Sequence, residues 1–285
     1  MPDDLLRALA IFAAGLAAGT INTVVGSGTL ITFPTLLAFG YPPVLANVSN
    51  NVGLVPGVAS GVYGYRSELG GQRRRLIRLG SASVCGGLVG AILLLTLPQS
   101  AFKDIVPALI GIAVVMVIIQ PRLAKWVAER QRARAAQAAP DADGDSGGAD
   151  GAGAAAVATA APPVSAQEAF GGPVLWVLVF LAGIYGGYFG AAQGVLLIGM
   201  LGIALNDSLQ RINAAKNVLA GLVNGLAAIV FILATHIDWG VAGLIAAGSI
   251  IGGQVGARIG KRLPPWGLRV VIVCVGTAAL IKLLA

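Results

Sequence analysis

The chain has 285 residues, of which 56% are apolar and only 11% charged, with 41 glycines and a formal net charge of +7. A soluble domain carries about 25% charged residues, so the composition excludes a water-soluble enzyme or binding module and requires a lipid-embedded chain. The cationic excess does not imply nucleic acid, because such residues also mark the cytoplasmic side of polytopic proteins.

The first apolar run, "LLRALAIFAAGLAAGTINTVV", follows an acidic "MPDD" and shows no small-residue cleavage site. It therefore reads as a transmembrane segment rather than a signal peptide. Apolar runs fall at 5–25, 29–39, 45–65, 76–97 and 102–120, and again at 173–190, 194–205, 212–234, 239–259 and 267–284. Between the two sets lies "RLAKWVAERQRARAAQAAPDADGDSGGADGAGAAAVATAAPPVSAQEAF", which starts basic and turns Ala/Gly/Asp/Pro-rich. With so few large apolar residues it predicts a disordered cytoplasmic linker, 122–172, between a first transmembrane repeat, 1–121, and a second, 173–285. The expected fold is an all-α polytopic membrane protein with 8–10 transmembrane segments in two five-segment halves.

The runs at 29–39 and 194–205 would reach only about 17 Å as helices, short of a roughly 30 Å hydrocarbon core. Each half thus contains one half-spanning or broken element. The halves also share local sequence. "ANVSNNV" (46–52) matches "INAAKNV" (212–218), pairing Asn47 with Asn213, Asn50 with Lys216 and Asn51 with Asn217. Upstream, "NTVVGSGTLI" answers "GYFGAAQGVLL" around Gly26 and Gly190.

If every run crosses, all cationic residues except Arg7, Lys103 and Lys282 fall on one side. The positive-inside rule makes that side cytoplasmic and puts both termini outside. Equivalent elements of the two halves then run in opposite directions, an inverted-topology repeat of the kind that builds secondary transporters. In such proteins, short interrupted segments in matching positions mark a substrate site near the midplane, between the repeats.

The polar turns sit at those places. Asn47, Ser49, Asn50 and Asn51 form the first turns of a helix that starts at depth, where unpaired N–H groups and the positive dipole end favour an anion. Their bland alternative is capping and bonding to neighbours. In the second half Asn213, Lys216 and Asn217 occupy the matching turn. Lys216 either snorkels to the cytoplasmic interface or meets an anion; Arg211 reads as an interfacial charge. Asn22, Ser27, Thr29 and Gln193 are polar tips of the glycine stretches "NTVVGSGT" and "YGGYFGAAQG", which match no phosphate loop. The candidate substrate-binding set is therefore Asn22, Ser27, Thr29, Asn47, Ser49, Asn50, Asn51, Gln193, Asn213, Lys216 and Asn217.

Glycines recur at every fourth position in Gly53, Gly57 and Gly61 and in Gly248, Gly252, Gly256 and Gly260, the spacing of close helix contacts. The spacing leaves open whether the partner helix belongs to the same chain or to a second copy in a homodimer. Cys85 and Cys274 each sit alone in an apolar run and read as small hydrophobes. The carboxylates fall in loops, the linker or span edges, so no buried acid offers a proton relay. His236 is the one histidine and reads as a solvated loop residue in "THIDWG". With no second histidine, neither a metal centre nor a Ser/His catalytic centre can be assembled, and no cofactor or enzymatic activity is expected.

"LAAGTINTVVGSGTLITFPTLLAFGYPPVLANVSNNVGLVPGVASGVYGY" and "LAGIYGGYFGAAQGVLLIGMLGIALNDSLQRINAAKNVLAGLVNGLAAI" resemble the two halves of the sulfite exporter TauE/SafE family, also called the 4-toluene sulfonate uptake permease family. Gly26, Gly28 and Pro34 fit its Gly-rich turn and proline-ended stretch. Thr29 replaces a frequent glycine, and Ala191, Ala192 and Gln193 stand in the second turn. The resemblance implies a bacterial inner-membrane permease for small sulfur-containing or organic anions, such as sulfite, sulfonates and sulfo-carboxylates. The partners expected are that anion and the lipid bilayer, with no nucleic acid. A non-transporting membrane scaffold is the alternative, its polar turns serving as structural glue.

Overall fold

The structure, a computed structural model, describes residues 2–137, 172–259 and 265–284. Among these residues it is all-helical, with five helices on either side of the linker region. The first set is α1 (Pro2–Val24), α2 (Thr29–Ala38), α3 (Pro43–Gly64), α4 (Arg73–Thr96) and α5 (Gln99–Gln137), with a 3-10 turn at Arg66–Leu69. The second is α6 (Pro173–Tyr188), α7 (Gln193–Ala204), α8 (Leu209–Ala234), α9 (Trp239–Ile259) and α10 (Pro265–Leu284). Five stretches, Asp4–Val24, Arg73–Thr96, Ser100–Arg122, Leu209–Ala234 and Trp239–Arg258, are long and apolar enough to cross a membrane. The chain is a multi-pass membrane protein.

Local chemistry sets the helix ends. Proline opens α3 and α6, where its fixed φ suits the first turn and its missing N–H costs nothing. Ser208 caps α8 by accepting from the Arg211 N–H, and Asp238 opens α9 by accepting from Val241 N–H at 3.0 Å. The two short elements are as short as the sequence predicts. α2 has 10 residues and α7 has 12, about 15 and 18 Å long at 1.5 Å per residue. Each follows a backbone break with a left-handed glycine, Gly26 at φ +90° after α1 and Gly190 at φ +77° after α6.

The linker differs from expectation at its start. Rather than yielding to disorder at 122, α5 runs on through Gln137. The segment "RLAKWVAERQRARAAQ" is made almost wholly of good helix formers, and a helix needs no large apolar residues once it projects beyond the lipid. The remainder of the expected linker, 138–171, lies outside the described residues.

Helix contacts follow an exchange pattern. α1 lies on α9 as α6 lies on α4, and α3 lies on α9 as α8 lies on α4. α2 touches α1, α3 and α10 as α7 touches α6, α8 and α5, while α3 meets α8 and α5 meets α10. The glycine spacing serves these contacts within one chain. A Cβ on Gly15 would lie 2.9 Å from Ile245 Cα, and Gly248, Gly252 and Gly256 sit directly on the α1 backbone. Gly53 and Gly57 admit α9 likewise, while Gly61 faces Thr23 of α1. Gly260 lies outside the described residues.

Direction is fixed for the central pair. Tyr65, at the end of α3, shares a buried cluster with Ala214 near the start of α8. A Cβ on Gly221 would sit 3.2 Å from Val58 Cγ1. Positions therefore descend along α3 as they rise along α8, and the two helices are antiparallel.

Candidate functional site

The interior polar groups gather where α1 and α6 stop. The last carbonyls of a helix have no intrahelical partner, and water cannot supply one inside a bilayer. Here side chains from the opposite half supply it. Asn47 of α3 donates to the Tyr188 carbonyl at the end of α6, at 3.0 Å. From α8, Asn213 and Asn217 donate to the Thr23 carbonyl of α1, at 3.2 and 3.4 Å.

Lys216 joins them. It is completely buried, with Nζ donating to the carbonyls of Asn22 at 3.0 Å and Thr23 at 3.2 Å. Cations are favoured at helix C-termini, so the ammonium matches both the orphan carbonyls and the dipole of α1. It does not snorkel to the interface. Arg211 is partly exposed, donating from Nε to Asp207 Oδ1 at 2.6 Å, while Arg75 holds the other oxygen at 2.7 Å.

The two breaks touch. The Gly194 N–H donates to the Gly26 carbonyl at 3.1 Å, so the starts of α2 and α7 lie side by side. Gln193 opens α7, is buried against Gly186, and its Nε2 finds no partner among the described residues. On the other side, Thr29 opens α2 with Asn50 Nδ2 3.5 Å from its hydroxyl. Ser27 Oγ and the Oδ1 atoms of Asn50, Asn51 and Asn213 are likewise buried with no partner among the described residues. Ser49 serves the loop before α9, accepting from the Asp238 N–H at 3.0 Å.

The two amide turns are not brought face to face. Because α3 and α8 run antiparallel, Asn213 lies beside the Tyr65 end of α3, whereas Asn51 is about 21 Å along the helix from Tyr65. Each turn instead meets the broken helix of the other half, and the breaks meet between them. Three participants escaped the sequence reading. The backbone carbonyl of Thr23 leaves no side-chain signature. Gln120, whose Nε2 lies 3.5 Å from the Val25 carbonyl, and Asn224, whose Oδ1 is 4.0 Å from where a Cβ on Gly190 would sit, are each a lone amide at the edge or middle of an apolar run. That isolation was the signal available.

A lateral groove of about 430 Å³, lined by Leu69, Arg73, Leu76, Ile77, Gly80 and Leu222, is apolar and lies apart from these groups. His236 is exposed, and Cys85 and Cys274 both point outward.

The sequence model described as Sulfite exporter TauE/SafE matches residues 11–283. The chain belongs to the sulfite exporter TauE/SafE family. It is 26% identical to the "Probable membrane transporter protein" of Haemophilus influenzae over 90% of this chain and 85% of that protein. It is 24% identical to the "Probable membrane transporter protein YfcA" of Escherichia coli over 100% of this chain and 91% of that one. For "Probable membrane transporter protein ORF9" of Sinorhizobium sp the identity is 25%, over 100% and 95%. No solved structure matches the chain. Helix breaks, half-length helices and cross-half capping are thus features of a TauE/SafE membrane transporter.

Proposed function

We propose that the protein is a secondary transporter of small sulfur-containing or organic anions, sulfite, sulfonates or sulfo-carboxylates, across the bacterial inner membrane. The carrying observation is the start of α7. There a buried amide donor, Gln193 Nε2, has no partner among the described residues, and a Cβ on the neighbouring Gly194 would come 3.0 Å from Lys216 Cδ. A helix N-terminus, a free amide N–H and an ammonium in one water-poor place form an anion-binding arrangement. The amide turns at Asn47–Asn51 and Asn213–Asn217 line the way to it from either side, together with Asn22, Ser27 and Thr29.

Two five-helix halves in inverted topology, with both termini extracytoplasmic, complete the proposal. The exchange pattern of helix contacts and the antiparallel α3–α8 pair support it. So does the shared face of Arg75, Asp207 and Arg211 among the cationic loops.

The scaffold reading draws on one specific observation, the engagement of Asn47, Asn213 and Asn217 with helix-end carbonyls. Flux separates the two. Purified protein in liposomes should move sulfite or a sulfonate, and Gln193→Leu should slow it at least about tenfold, the cost of one hydrogen bond to a charged ligand. Flux equal to that of empty liposomes across the panel would leave the scaffold standing.

A further inference from the structure

The two helix ends that face the breaks are treated differently. At the end of α1, the Lys216 ammonium lies on the carbonyls of Asn22 and Thr23. The end of α6 carries the same orphan carbonyls and the same negative dipole, yet the residue matching Lys216 is the neutral Asn50. Counting back from the breaks, with Gly190 against Gly26, the carbonyl matching that of Asn22 is that of Gly186.

Oxygen atoms converge on that place. Around the point that a Cβ on Gly190 would occupy lie the Gly186 carbonyl oxygen at 3.3 Å, Thr29 Oγ1 at 3.8 Å and Asn224 Oδ1 at 4.0 Å. Asn50 reaches the same hydroxyl with its amide, 3.5 Å from Thr29 Oγ1. Asn50 is 1% exposed and its Oδ1 has no partner among the described residues. One carbonyl, one hydroxyl and one amide oxygen thus come together from α6, α2 and α8, with the Asn50 amide of α3 holding the hydroxyl. All are hard neutral donors, and among the described residues no cluster of His, Cys, Asp or Glu offers a divalent site. Helix-end carbonyls at a break are also where transporters coordinate small monovalent cations.

We infer that the Gly190 niche binds a monovalent cation, Na+ by its small size, which gives the end of α6 the positive charge that Lys216 gives the end of α1. Thr29 then ligates the cation, with Asn50 positioning its hydroxyl, beside the place where Gln193 and Lys216 meet the anion. Cation binding stands apart from the anion reading; its use as the coupling ion rests on that reading.

The test is thermal unfolding of the purified full chain without any transported anion, in NaCl against choline chloride at equal ionic strength. The expected result is a saturable rise in Tm with Na+ that choline does not produce. Thr29→Val removes one ligand and should raise the half-saturating Na+ concentration at least about tenfold. Asn50→Lys copies the other half; it should raise Tm in choline and abolish the Na+ increment. If Asn50→Lys does not fold, the wild-type titration and Thr29→Val decide. Identical melting in the two salts, or a Na+ response unchanged by Thr29→Val, overturns the inference. Neither result depends on whether sulfite or sulfonates are carried.

Discussion

The Gly26 carbonyl and the Gly194 N–H are 3.1 Å apart, joining two helix breaks that belong to opposite halves of the chain. A Cβ on Gly194 would lie 2.5 Å from Gly26 Cα and 3.0 Å from the Gly26 carbonyl oxygen. Backbone meets backbone there, with no room for a side chain.

Gly194→Ala is therefore expected to destabilise the protein by about 1–3 kcal/mol, the usual cost of overpacking a filled interior. Gly225 makes the contrast, because a Cβ there meets nothing within 4 Å and the residue lies inside α8. Gly225→Ala should gain up to about 1 kcal/mol from helix propensity alone. Reversible unfolding in detergent compares the two, and equal effects would refute the role given to the contact.

Lys216→Met keeps the length and apolar bulk of the side chain while removing the ammonium from the Asn22 and Thr23 carbonyls. The expected loss is about 1.5–3 kcal/mol, the range for hydrogen bonds to charged groups. A change below about 0.5 kcal/mol, typical of a surface site, would mean that the lysine does not cap α1.

Asp207 holds Arg75 and Arg211 at 2.7 and 2.6 Å and is 13% exposed in its side chain. Asp207→Asn leaves two arginines facing each other and should lower Tm. It should also turn the dependence of Tm on choline chloride upward, because salt screens an attraction in the wild type and the Arg75–Arg211 repulsion in the variant. The readout is a pair of salt titrations, and parallel curves would contradict the bridge.

Sidedness is open to labelling in a Cys85→Ser, Cys274→Ser background. Asp4, Ser67 and His236 are exposed. Asp4→Cys and His236→Cys should react with an impermeant thiol reagent in intact cells, and Ser67→Cys only after permeabilisation. Reaction of Asp4→Cys and Ser67→Cys from the same side would disprove the proposed orientation.

Much of this was legible in the chain. Composition announced the membrane, and the gaps in hydropathy gave the helices, including the half-length α2 and α7. The pairing of Asn50 with Lys216 named the turns that carry the interior polarity. Partners were not legible, since Lys216 bonds to carbonyls more than 190 residues away and a carbonyl belongs to every residue alike. The register of α3 against α8 was equally hidden, because local periodicity gives a helix its faces but not its height relative to another. Ala192, at φ +59°, turns the chain before α7 without the glycine that would have flagged it.

The cross-half capping has a consequence for biosynthesis. Tyr188, whose carbonyl takes the Asn47 amide, is made 141 residues after Asn47. At ribosomal speeds of about 5–20 residues per second, α3 waits roughly 7–28 s in the bilayer before its partner emerges. The donors for Thr23 arrive later still, 190 residues on. Through that interval the nascent first half holds polar groups against lipid with nothing to answer them, so the insertion machinery or neighbouring lipids must shelter the unfinished chain until the ribosome delivers its second half.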